Sequence, residues 1–232
     1  MSTPKAVLFD FSGTLFRFEA RDDWFDGLHD EDGNALHLDA QAVLIRRMTQ
    51  PVGLPTVIED DDRIAWEQRD LDPKQHRRAY LAMLRASGLT APGHAEQLYA
   101  RVLDPHSWQI FPDTEAVLRG LRAAAIPVGV VSNIAFDLRA VLALHGVDDL
   151  VDEYALSYEV GAIKPNPRIF HAALDPLGVA PYDALMVGDS AEADGGSRHL
   201  GCAFELVQDA PVSERPSALV DAVMRHGVVL PN

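Results

Sequence analysis

The sequence predicts an α/β chain: a doubly wound parallel sheet with an all-helical insert near its start. Three observations carry this. The stretch Val7–Leu15 (VLFDFSGTL) reads as a buried strand running into a turn, because a short apolar run is closed by Ser12, Gly13 and Thr14. From Phe111 onward, similar apolar runs alternate with amphipathic stretches at the spacing of strand–helix–strand units. Between Arg17 and about Gln109 no clear buried strand is found and helical periodicity prevails.

In chain order, residues 5–16 form the first strand and its turn. The insert then holds four helical stretches. Asp39–Gln50 carries Ala42, Leu44, Ile45 and Met48 near helical spacing, and Asp60–Arg69 opens on the acidic run Glu59 to Asp62, which suits a helix N-terminus. Lys74–Ser87 follows Asp72-Pro73 and stops at Gly88, and Gly93–Leu103 closes the series. The second half reads as helix Asp113–Ala125, strand Pro127–Val131, helix Phe136–His145, a weaker strand Tyr154–Leu156, helix Pro167–Leu177, strand Ala184–Val187, helix Glu192–Leu200, strand Ala203–Val207 and helix Arg215–His226. The domains expected are a core of residues 1–16 and 111–232 and a helical insert of residues 17–110. Neither internal repeats nor low-complexity tracts appear.

Composition narrows the function. The 232 residues, 47% hydrophobic and 24% charged, suit a globular fold, and the net charge of −15 argues against nucleic acid, whose phosphates require a basic patch. The pairs Arg46-Arg47 and Arg77-Arg78 read as solvated helix faces. With one cysteine, Cys202, no internal disulfide can form, and a buried structural thiol is expected. The first residues lack the long apolar core of a signal peptide, and no run approaches a membrane span, so a cytoplasmic protein without membrane or nucleic-acid partners is expected.

Three apolar runs each end on a polar group, at Asp10, Ser132 and Asp189. Singly, each would read as a helix cap. In one parallel sheet, however, the carboxyl ends of the strands share an edge, where ligands bind. Lys164, entering a helix through a proline-rich turn, adds a cation. Clustered carboxylates repel one another unless a hard cation lies between them, and oxygen donors with room for water and phosphate suit Mg²⁺. A nearby lysine neutralises an anion, and a hydroxyl donates to it. These residue types together describe a phosphoryl-transfer site.

Four motifs in order, DFSGT at 10–14, VVSN at 130–133, Lys164 within GAIKPNP and GDSAEAD at 188–194, resemble those of the haloacid dehalogenase-like (HAD) hydrolase superfamily. The resemblance covers residues 1–16 and about 111–210, and implies a Rossmann-like core with a helical cap of the first type that closes over the site. It implies that Asp10 is a nucleophile forming an aspartyl-phosphate. Asp10, the Ser12 backbone carbonyl, Asp189 and Asp194 would then hold Mg²⁺. Ser132 would bind the phosphate, Lys164 would offset charge on nucleophile and phosphate, Gly13 and Thr14 would shape the turn at the phosphate site, and Asn133 would contact substrate. The implied partner is a small phosphorylated metabolite.

One departure stands out. Family phosphatases usually carry an aspartate two residues after the nucleophile, as general acid and then general base. This chain has Ser12, whose hydroxyl pKa lies far from neutral. Weak turnover of ordinary phosphate monoesters is therefore expected. Two other readings remain open: a metal-independent 2-haloacid dehalogenase, which the metal-ready pair Asp189 and Asp194 disfavours, and a non-catalytic HAD-fold binding protein, which the retained Asp10, Lys164, Asp189 and Asp194 disfavour. A phosphonatase would use a cap lysine, but Lys74 reads as a solvated helix residue. His29 and His37 among nearby acids suggest a polar loop rather than a second metal site. Trp24 and Phe25 read equally as pocket lining or as core of the insert, and His106 and Trp108 as hinge or rim residues.

Overall fold

The computed structural model describes residues 3–30, 32–49 and 59–230. The chain starts with strand β1, Ala6–Phe9, all four residues buried, and turns through residues 10–15 into strand β2, Phe16–Phe18. The insert follows, as helices α1 (Leu38–Thr49), α2 (Asp60–Glu67), α3 (Pro73–Ala86) and α4 (His94–Leu103). Strand β3, Trp108–Ile110, pairs with β2 in a two-stranded ribbon, where the chain leaves for the insert and returns. Then come α5 (Thr114–Ala123), β4 (Val128–Ser132), α6 (Arg139–Leu144), β5 (Glu153–Leu156), α7 (Ser157–Val160), α8 (Pro167–Leu177), β6 (Ala184–Gly188), β7 (Ala203–Leu206) and α9 (Ala218–Arg225).

Two compact units result, Met1–Arg17 with Trp108–Asn232, and Phe18–Ser107. In the first, five strands among the described residues form one parallel sheet in the order β5-β4-β1-β6-β7. The register pairs Phe9 with Val130 on one side and Val187 on the other, so β1, β4 and β6 end side by side. Helix α8 shows how the sequence builds a wall for this sheet. The Asn166 side chain accepts from the Arg168 N–H, Pro167 occupies the first helical position, and Gly178, at φ +67°, ends the helix. Its apolar face, Ile169, Phe170, Ala173 and Leu174, packs with Leu8, Val131 and Met186. Each large side chain buried there contributes roughly 1.5–3 kcal/mol. Cys202 lies in the same cluster as a buried thiol, and burial raises its pKa to about 11.

The insert is helical for equally local reasons. In α3, the Asp72 carboxylate accepts the N–H groups of Lys74 and Gln75, Pro73 is the first residue, and Gly88, at φ +98°, follows the end. Buried residues at 76, 79, 80, 83 and 84 follow helical period, Leu81 widens the buried face, and the helix packs on α2 and α4. Inside lie His76, Tyr80 and Tyr99: the His76 ring stacks on Tyr80 at 4.4 Å, and its Nδ1 is 2.8 Å from the Tyr99 hydroxyl. Trp24 is fully buried against Phe18 at 4.8 Å, and so belongs to the core of this unit. Lys74 is exposed in the first turn of α3.

Several elements differ from expectation. Residues 17–109 are not free of strand, since Phe18 ends β2 and Trp108 begins β3. The helix expected from Phe136 starts at Arg139, whose N–H donates to the Asp137 carboxylate just ahead of the helix. The one expected over Glu192–Leu200 is a 3-10 helix, Asp194–Leu200, where Asp194 and Gly195 N–H groups both turn back to the Ser190 carbonyl. The last helix starts at Ala218, three residues beyond Arg215. Gln50, placed at the end of an expected helix, lies outside the described residues. No helix among the described residues is long and apolar enough to cross a membrane.

Candidate active site

Strand β1 is wholly apolar and central, so its first polar residue, Asp10, stands at the carboxyl edge of the sheet. The Asp10 N–H still donates to the Val187 carbonyl at 3.0 Å, which fixes its backbone to the end of β6. Asp10 is 6% exposed. The next residue of β6's run, Gly188, ends that strand and delivers Asp189, and the following turn brings back Asp194, which is fully buried. One carboxylate oxygen from each of Asp10, Asp189 and Asp194 lies within 4.8 Å of the others.

Lys164 reaches this cluster from the loop before α8. Its ammonium donates to Asp10 Oδ1 at 2.5 Å, to Asp194 Oδ1 at 2.6 Å and to the Val131 carbonyl at 2.9 Å. All three ammonium protons are thus used, as a buried charge requires. The loop is held by Asn133: its Oδ1 accepts the Lys164 N–H at 2.7 Å, and its Nδ2 donates to the Lys164 carbonyl at 3.2 Å. Asn133 is therefore committed to the lysine backbone. Asp194 Oδ2 in turn accepts the Ser190 N–H at 2.9 Å.

Room for these carboxylates depends on two glycines. A Cβ on Gly188 would lie 2.2 Å from the Asp194 carboxyl carbon, and one on Gly13, which sits at φ +80°, would lie 2.3 Å from Asp189 Oδ2. The turn carrying Gly13 closes by N–H bonds from Leu15 and Phe16 to the Phe11 carbonyl. Within it, Ser12 is exposed, whereas Thr14 is fully buried and its hydroxyl has no hydrogen-bond partner. Ser132, the last residue of β4, is 2% exposed at the same sheet edge.

The electrostatics are those of an anionic cluster short of positive charge. Burial is the main reason the Asp10 pKa lies well above the ordinary carboxylate range, and Asp194 and Asp189 push the same way against Lys164. Asp189 is raised as well, by burial and then by Asp194. For Lys164, burial alone would lower the pKa, but Asp10 and Asp194 outweigh it and hold the ammonium charged. Three carboxylates against one ammonium leave two negative charges when all are ionised.

All the residues singled out at three of the strand and loop ends, Asp10, Lys164, Asp189 and Asp194, are brought together. Sequence reasoning missed Arg215, assigned to the start of a helix. It is instead 4% exposed, and its guanidinium bonds the Gly13 carbonyl at 2.6 Å and the Thr14 carbonyl. A signal existed: Pro216 follows it, and the residue before a proline avoids the helical region.

Comparison with known proteins agrees with this geometry. The family model described as haloacid dehalogenase-like hydrolase matches residues 4–196. The bovine (Bos taurus) haloacid dehalogenase-like hydrolase domain-containing protein 3 is 39% identical over 114 residues, covering 49% of this chain and 45% of that protein. The chain thus spans about half the length of this curated relative. The glyceraldehyde 3-phosphate phosphatase of Methanopyrus kandleri is 29% identical over 198 residues, 82% of this chain and 77% of that protein. Among solved structures, a HAD phosphatase from Thermococcus onnurineus superposes with a TM-score of 0.52 at 26% identity, covering 88% of this chain and 86% of that one. The match spans the β1 turn, Lys164 and both downstream aspartates, and so takes in the whole acidic cluster: the chain belongs to the haloacid dehalogenase-like hydrolases.

Proposed function

We propose that the protein is a cytoplasmic, Mg²⁺-dependent hydrolase or transferase of phosphoryl groups on a small phosphorylated metabolite. One observation carries this reading: the Asp10–Lys164–Asp194 network with Asp189 beside it, at the edge of the sheet. The phosphatase names of two similar proteins support it. The site fits Mg²⁺ on two grounds. Its donors are carboxylate oxygens, which a hard cation prefers. Gly13 and Gly188 clear the space in which those oxygens converge. Asp10, Asp189 and Asp194, with the Ser12 carbonyl, would hold the ion, which would draw charge from the phosphoryl oxygens and keep Asp10 ionised.

The chain's own residues then divide the work. One Asp10 carboxylate oxygen attacks phosphorus in line, forming an aspartyl-phosphate as the bond to the leaving oxygen breaks. Lys164 and the Ser132 hydroxyl hold the phosphoryl oxygens, and Asn133 keeps Lys164 in place through its backbone. Thr14 shapes the turn from within. Water releases phosphate and restores the Asp10 carboxylate. Ser12 stands where an acid would protonate the leaving group, so the leaving oxygen takes its proton from solvent. The unit Phe18–Ser107 is read as the family's cap, which sets substrate choice.

The deciding experiment is hydrolysis of p-nitrophenyl phosphate with and without Mg²⁺, beside chloride release from a 2-haloacid. Mg²⁺-dependent phosphate release, abolished in a folded Asp10→Asn variant, is the expected result. Chloride release without metal would make the protein a dehalogenase, and silence in both assays from folded protein would favour a narrow-specificity enzyme or a non-catalytic binder.

A further inference from the structure

We infer that Arg215 is a positioning residue: it clamps the turn after Asp10 from the C-terminal segment and thereby sets the place of Asp189. The segment lies beyond the family match at residue 196. Arg215 sits between a short 3-10 turn, Val212–Glu214, and α9, with φ −128° and ψ 69°, outside the helical region, and its side chain is buried. Its guanidinium carbon lies over the Phe111 ring, 3.3 Å from the centroid. One terminal nitrogen bonds the Gly13 carbonyl at 2.6 Å and reaches the Gln208 carbonyl at 3.4 Å, and the other bonds the Thr14 carbonyl. These two successive carbonyls belong to the turn that the motif glycine makes, and a planar fork with fixed donors is the side chain that can take both at once.

The consequence reaches the acids. Gly13 presses against Asp189, with the position of its missing Cβ 2.3 Å from Oδ2, so a shift of the Gly13 backbone moves the wall on which that carboxylate rests. Asp113 anchors the other end of the same segment: its Oδ2 accepts the Leu219 and Val220 N–H groups at 2.7 and 3.1 Å and so caps α9. Arg215 and Asp113 also attract each other through charge. The C-terminal segment is thereby tied to the nucleophile turn at one end and to the start of α5 at the other. Outer-shell partners that orient ligating carboxylates typically change metal affinity 10- to 100-fold when removed.

The clamp rests on the reading above only where Mg²⁺ is involved, and the test separates the two. Native-state amide exchange across residues 11–16 and calorimetric Mg²⁺ titration would be measured on the full chain as wild type, Arg215→Lys and Arg215→Ala. In Arg215→Lys, which keeps the charge but loses the fork, Leu15 and Phe16 should exchange about 10-fold faster or more, while Val130 and Met186 in the sheet keep their rates. Mg²⁺ should bind about 10- to 100-fold more weakly, and about 10 mM guanidinium should restore both quantities in Arg215→Ala. Unchanged exchange at Leu15 and Phe16, or equal acceleration through the whole sheet, would overturn the clamp. A wild-type chain that binds no Mg²⁺ would defeat the phosphoryl-transfer reading, and the exchange data would still decide for or against Arg215. If Arg215→Ala does not fold, Arg215→Lys alone decides.

Discussion

Ser12 is the residue on which the chemistry turns. It is exposed in the turn after Asp10, the proposed nucleophile, and the pKa of its hydroxyl lies too far from neutral for general acid or base work. General acid–base help is typically worth about 100- to 10,000-fold, so Ser12→Asp should raise kcat for phosphate monoesters with poor leaving groups by a factor in that range. With p-nitrophenyl phosphate, whose leaving group needs little help, the gain should be small. Steady-state kinetics on the two substrate types measures the contrast, and an equal gain on both would mean that position 12 does not face the leaving group. Asp10 and Asp189 were legible in the sequence because each closes a short apolar run, Lys164 because it opens a proline-rich turn, and Asp194 through the motif GDSAEAD. The commitment of Asn133 to the lysine backbone was not, because it depends on two loops 31 residues apart meeting. Arg215 was hidden by the amphipathic pattern of the helix behind it.

At the level of the elements, the insert holds a titratable group with a predictable effect. His76, on α3, is buried against Tyr80 and Tyr99, and burial lowers its pKa from 6.5 to about 4. An unfolded chain takes up a proton at this histidine below pH 6.5, whereas the folded one does not until about pH 4. The stability His76 protects is complete above pH 6.5 and is lost as the pH falls towards 4. The loss between pH 7 and 4.5 should be roughly 2–3 kcal/mol, and His76→Gln should remove that part of the pH dependence. Urea unfolding followed by tryptophan fluorescence at the two pH values tests this, and parallel slopes in wild type and variant would refute it. The α3 boundaries were readable from Asp72-Pro73 and Gly88, and those of α8 from Asn166-Pro167 and Gly178. The ribbon of β2 and β3 was not, since three residues are too few to show a period. The 3-10 segment Asp194–Leu200 was read as an ordinary helix because the pull of Ser190 on two N–H groups has no sequence signature.

For the whole molecule, the buried acidic cluster predicts a response to metal. A ligand that binds only the folded state at 100 times its dissociation constant adds about 2.7 kcal/mol. Mg²⁺ should therefore raise the Tm over that in EDTA by about 5–11 °C, at about 2–4 °C per kcal/mol for a chain of this size. Asp189→Asn should lose most of this shift, and a wild-type Tm indifferent to Mg²⁺ would count against a metal site. The α/β alternation and the parallel sheet followed from the spacing of the apolar runs after Phe111, and the strand order could then be sought among few topologies.

That strand order has a further consequence, for synthesis. The central strand is the first to be made, yet its two neighbours are the second and fourth of the five sheet strands along the chain: Leu8 pairs with Gly129 and with Met186. At about 5–20 residues per second, the ribosome needs roughly 10–40 s to supply both partners. Until Gly129 and then Met186 are made, the uncharged tetrapeptide Ala6–Phe9 lacks a partner strand first on both sides and then on one, and Phe18–Ser107, one uninterrupted stretch of chain, is made before either. The strand that leads into the proposed nucleophile is therefore made long before the second of the two strands that hold it.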